Sequence, residues 1–122
     1  MEFAIRYDGP SGVLIRALGM GPHWSGVVLD ESELRVRLGW GFRARIPRSS
    51  ITTATRNTGR YFSRGAHGWR GRWLVNGAGR GLVTITIDPH ARAYTMGFPL
   101  RLRELTISLE APDELIEALA VR

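Results

Sequence analysis

The 122-residue chain carries 17 arginines, no lysine, 11 acidic residues and no cysteine. This composition excludes a disulfide scaffold and any thiolate metal site, and the length fits one domain, 1–122, built on one core. The formal charge of +6 is unevenly spread: the 54 positions between Glu33 and Asp88 hold 11 arginines and no acid, whereas the other 68 hold six arginines and 11 acids, so +11 in the middle stands against −5 at the ends. GC-rich coding accounts for arginine in place of lysine but not for the clustering, which points to an anionic partner.

Hydrophobic content of 43% with four Trp, four Phe and three Tyr is that of a folded domain. The N-terminus lacks the basic and apolar regions of a signal peptide, and no stretch approaches the roughly 18 uncharged apolar residues of a membrane span. A cytoplasmic protein is expected, at most peripheral at the inner face of the membrane, with no cofactor. In chain order, Phe3 to Tyr7 predicts a first strand stopped by Asp8-Gly9-Pro10, and residues 13–18 are open between a short helix and a strand. A strand follows at Ser25–Leu29. Leu34, Val36 and Leu38 then alternate with Arg35 and Arg37, and Phe42, Ala44 and Ile46 with Arg43 and Arg45, on either side of Gly39-Trp40-Gly41. That is a hairpin with a three-residue connection. Another strand is expected near Ile51–Thr55. Residues 59–81 hold seven Gly and five Arg and read as a long loop entering a strand near Trp73. Strands are expected at 83–87, ended by an Asp88-Pro89 turn, at 91–96 and at 104–109. Pro112, Asp113 and Glu114 suit a helix start, and Leu115, Ile116 and Leu119 form its apolar stripe.

About seven short antiparallel strands followed by one helix make a mainly β roll or open barrel with one end plugged. The run Glu33 to Pro47 with its glycine turn, the exit through Ile46-Pro47 to Ile51, and the ending Leu105-Thr106-Ile107-Ser108-Leu109-Glu110-Ala111-Pro112 resemble bacterial pleckstrin-homology-like (PH-like) proteins. The resemblance spans roughly residues 25–120 and implies a PH-like antiparallel roll capped by a C-terminal α-helix. Some members of such families assemble as rings, so it also implies a homo-oligomer. The start of the chain and the Gly/Arg/Trp stretch at 59–81 depart from the pattern.

If Leu38 faces Phe42, then Arg37 lies opposite Arg43 and Arg35 opposite Arg45, all on one face. Opposed like charges weaken a strand pair unless something offsets them, and a phosphate or carboxylate suits the planar guanidinium fork. The arginines can instead splay over aromatic rings, pair with carboxylates such as Glu31 or Glu104, or stand solvated. The second candidate group is Arg60, Arg64, Trp69, Arg70 and Arg72, where arginine interleaves with aromatics as in surfaces that stack bases. Trp73 reads as core. The glycines of Asn76 to Gly81 lack the following Lys-Ser/Thr and helix of a phosphate loop and read as a turn between strands. No nucleophile elbow, paired acid or metal-ligand spacing is evident, so no enzyme is expected. Two readings follow. One is a binding module whose basic surface meets an anionic membrane or an acidic protein partner. The other is a single-stranded nucleic-acid binder using the 59–81 loop.

Overall fold

Alternation with a period of two decides how residues 33–47 are built into the sheet, because both strands there have one apolar face and one face of arginine. The computed structural model describes residues 1–57 and 65–120. Its strands are β1 (Glu2–Phe3), β2 (Ser25–Leu29), β3 (Glu33–Leu38), β4 (Phe42–Pro47), β5 (Ile51–Asn57), β6 (Gly65–Trp69), β7 (Arg72–Asn76), β8 (Leu82–Thr95) and β9 (Phe98–Ser108). They join in one curled mixed sheet, a half-barrel in the order β1-β2-β3-β4-β8-β9-β7-β6, with β5 paired to β8. The mainly β half-barrel with one C-terminal helix is the architecture read from the sequence.

In β3 and β4 every second residue is buried: Leu34, Val36 and Leu38, then Phe42, Ala44 and Ile46. The hairpin has the expected register, Leu38 opposite Phe42 and Arg35 opposite Arg45. The C-terminal helix, α2 (Pro112–Ala120), has Asp113 and Glu114 in its first turn and Pro112, Leu115 and Leu119 buried on one side. The core joins these residues to Ile85, Leu102, Leu105 and Ile107. Trp73 is partly buried against this core, with its ring 5.9 Å from that of Phe42.

Three expectations are corrected and one open reading is decided. The first strand is only Glu2–Phe3; beyond it Ile5 and Tyr7 make isolated bridges to Leu109 and Gly77. The ambiguous segment is helical: α1 (Gly9–Ile15) runs into a π-helical turn at Arg16–Met20, followed by a 3-10 turn at Pro22–Trp24. Within 59–81, the strand expected near Trp73 is β7, but residues 65–69, read as loop, form β6 and pair with it as a hairpin. Its partner is β9, and that pairing is parallel because the glycine segment 77–81 carries the chain past β9 to β8 instead of joining neighbours. Finally, Asp88-Pro89 does not end a strand. β8 runs through it with shifted register, Thr86 facing Glu104 and Ala91 facing Leu102. The first half of β8 thus pairs with β5, and its second half is released to pair with β4.

Two hairpins turn on two residues of positive φ, Arg70-Gly71 (53° and 84°) and Met96-Gly97 (47° and 84°). Asn-Gly is the favoured pair for such a turn, since an ordinary side chain in the left-handed region costs about 1 kcal/mol or more. Met96→Asn is therefore expected to raise stability to urea by about 1 kcal/mol. An unchanged or lowered midpoint would show that Met96 is not strained.

Candidate anion-binding face

The arginine face of the hairpin continues onto two further strands. Arg45 of β4 stands opposite Arg92 of β8, and Arg92 opposite Arg101 of β9. With the Arg35–Arg45 pair, four arginines form one row across β3, β4, β8 and β9, a span of roughly 14 Å at ordinary strand spacing. The neighbouring outward row holds Arg37, Arg43, Tyr94 and Pro99. All six arginines are exposed, while between the rows Val36, Ala44 and Ala93 are buried and Leu100 packs against the core. The rigid apolar side of the strands fixes the spacing of the charged side.

The two ends of the long row differ in charge. Glu33 accepts from Arg45 Nη2 at 2.7 Å and from Arg45 Nε at 3.2 Å, and lies 3.8 Å from Arg35 Nε. Asp30 adds a second contact to Arg35, at 3.5 Å. The backbone N–H groups of Glu33 and Ser32 donate to Asp30 Oδ1, each at 2.8 Å, and hold its carboxyl below the ordinary value. With a lowered folded pKa, its contribution is complete above the ordinary carboxylate value of about 3.9 and is lost only as pH falls through the lower one. Asp30 in the β2–β3 turn and Glu33 at the start of β3 thus offset the charge of Arg35 and Arg45. These partners are Asp30 and Glu33, not the Glu31 and Glu104 weighed from the sequence.

No carboxylate among the described residues pairs with Arg37, Arg92 or Arg101. Arg43 lies over the ring of Tyr94 at 4.9 Å, which keeps its charge while ordering it. The uncompensated part of the face is thus Arg37, Arg43, Arg92 and Arg101. Two of these four were not singled out in the sequence. Ala91-Arg92-Ala93 and Leu100-Arg101-Leu102 do alternate, but no local pattern says that β4 pairs with the far half of β8.

The second candidate group is dispersed. Arg60 and Arg64 lie outside the described residues. Trp69 closes β6 opposite Arg72, and Arg72 is tied to Glu104 at 3.5 Å. Arg70 occupies the hairpin tip, where Gly71 O accepts from the N–H of Arg103 and of Glu104. Arg70, Arg72 and Arg103 line a cleft of about 480 Å³ with His90, but Asp88 and Glu104 share it. Three arginines against two carboxylates make a mixed-charge cleft beside the row. No group of three or more His, Asp or Glu among the described residues could hold a metal ion. No protein-family model, curated protein or solved structure matches the chain.

If Glu33 is what silences its end of the row, Glu33→Gln raises affinity for anionic matrices more than one lost charge elsewhere does. On a sulfonate cation exchanger, Glu33→Gln is expected to elute at higher salt than Glu110→Gln, which removes an equal charge from an exposed site far along the chain. Equal elution of the two variants would mean that the row is not a focused site.

Proposed function

We propose that this protein is a non-enzymatic binding module whose arginine-rich sheet face docks on an anionic membrane surface. The observation that carries the reading is the register Arg35–Arg45–Arg92–Arg101, a row of like charges that the strand pairing brings together and that is compensated at one end only. Opposed guanidinium groups on neighbouring strands repel. Lipid phosphates arriving from outside the sheet relieve that repulsion and accept from the planar forks. The resemblance to PH-like proteins over residues 25–120 belongs to the same reading. The attachment proposed is peripheral; no helix of the described residues is long and apolar enough to cross a membrane.

Magnitudes favour reversible recruitment. Each basic residue close to an anionic bilayer contributes about 1 kcal/mol, decaying over a Debye length of about 8 Å at physiological salt. Four uncompensated arginines together give a dissociation constant on the order of millimolar. The other reading from the sequence, a single-stranded nucleic-acid binder using the 59–81 loop, is placed second: Arg60 and Arg64 lie outside the described residues, and Arg72 is paired with Glu104.

The test is flotation with vesicles of phosphatidylcholine alone or with phosphatidylglycerol, at low and physiological salt, with single-stranded RNA as competitor. The protein is expected to float with the anionic vesicles only, and Arg92→Gln combined with Arg101→Gln to weaken partitioning about 30-fold, the equivalent of about 2 kcal/mol. Binding unchanged in the double variant would reject the row as the site. Loss of vesicle binding to RNA would replace the membrane with nucleic acid, and no vesicle binding at all would leave an acidic protein as the partner.

A further inference from the structure

At one end of the half-barrel three tips meet, and each carries a large apolar side chain outward. Trp40 Nε1 of the β3–β4 turn donates to Leu18 O of the π-helical turn at 2.6 Å. Gly39 N of the same turn donates to Trp24 O of the 3-10 turn at 3.2 Å, and Met96 N of the β8–β9 turn donates to Gly41 O at 3.2 Å. Thr95 Oγ1 also donates to Gly41 O, at 3.0 Å. Met20 O, beneath them, accepts from Tyr7 Oη and from Ser25 Oγ, and Ser25 Oγ in turn accepts from Gly39 N at 2.9 Å. The backbone of this rim is therefore knotted together. Its side chains are not buried by it: Leu18 is 49% exposed, Trp24 55%, Trp40 57%, Met96 61% and Phe98 70%.

Two details set this rim apart from scattered surface hydrophobics. The Trp40 N–H is satisfied internally, so the exposed part of the indole is apolar. Met96 occupies a left-handed position where Asn would be favoured, so the chain holds an exposed thioether in a conformation that disfavours it. The charge pattern supplies the occupant. None of the segments 16–25, 38–43 and 94–99 contains an acid, and the first outward row behind the tips is Arg37, Arg43 and Tyr94. Arg43 lies three residues from Trp40, about 10 Å along a strand, and Arg45 two residues further. Interfacial segments sink about 5–10 Å into the boundary between headgroups and acyl chains. At that depth the first arginine row stands at headgroup level.

We infer that this rim inserts into the interfacial layer of an anionic bilayer, tilting the half-barrel so that Arg37 and Arg43 meet lipid phosphates while Leu18, Trp24, Trp40, Met96 and Phe98 enter the acyl boundary. The inference rests on the membrane reading proposed above and adds a nonpolar anchor and an orientation to it. Electrostatic docking alone is lost at high salt, whereas an inserted rim retains part of its binding.

The experiment uses vesicles of phosphatidylcholine and phosphatidylglycerol whose acyl chains are brominated near the headgroup. Tryptophan fluorescence of the bound wild type is expected to be quenched, and most of the quenching to be absent when Trp24→Phe and Trp40→Phe are combined. In parallel, Met96→Asn combined with Phe98→Ser is expected to lower partitioning at 0.5 M NaCl about tenfold or more. Because Met96→Asn relieves the turn, a folded variant of preserved melting temperature separates lost insertion from lost structure. Binding to anionic vesicles that shows no quenching, disappears in high salt and is the same in the rim variant would overturn the insertion while leaving arginine docking intact. Absence of any vesicle binding by the wild type would overturn both. Concentration-dependent mass in sedimentation that the rim variant abolishes, again without quenching, would assign the rim to a second copy of the chain and reject the inference.

Discussion

The pairing of β4 with the far half of β8 is the constraint on which the candidate face depends. Without it the hairpin of β3 and β4 would carry its own four arginines as an isolated ribbon. With it, Arg45 meets Arg92 and the row extends to Arg101. The pairing is possible because β8 changes register between Thr86 and Ala91, giving its first half to β5 and its second to β4. The inward residues then fix the outward ones. Val36, Ala44, Ala93 and Leu100 lie in one cross-strand register, with Val36, Ala44 and Ala93 buried and Leu100 packed against the core, and a slip of one residue would turn arginines into the core.

Seen this way, the acid-free block has a structural meaning. Arg35, Arg37, Arg43 and Arg45 come from inside it, and Arg92 and Arg101 come from beyond it, from the stretch between Asp88 and Glu104, which also holds no acid. Asp30 and Glu33 sit at the edge of the block and at the edge of the row, where they order Arg35 and Arg45 without reaching the others. The result is a graded row, compensated at Arg35 and Arg45 and open at Arg92 and Arg101. The same strands that carry the open arginines end in the exposed tips of the rim, so charge and apolar surface share one scaffold.

Where the determinants are local, the sequence is informative. The β3–β4 register follows from alternation plus a three-residue glycine turn, and α2 follows from Pro112, two acids and the spacing of Leu115 and Leu119. Nonlocal determinants were not legible. The course of β7 beside β9 depends on how the glycine segment crosses, and the β6–β7 hairpin is hidden because Gly65, Gly68 and Gly71 remove the apolar period. Likewise Asp88-Pro89 has the composition of a turn, yet it lies within β8 because the neighbouring strands bridge the irregularity. Arg92 and Arg101 share that cause: each sits on a recognisable alternation, but only the strand order makes them neighbours of Arg45.

The central claim is that the uncompensated arginines act together as one docking face. Its most direct test is to follow the arginine side-chain Nε–Hε signals by NMR while titrating nanodiscs that contain phosphatidylglycerol. The account predicts that Arg37, Arg43, Arg92 and Arg101 respond together and first, while Arg56 and Arg72, paired with Asp113 and Glu104, stay close to their free positions. Early changes confined to Arg70, Arg72 and Arg103 around the mixed-charge cleft, or a uniform response of all arginines, would contradict it.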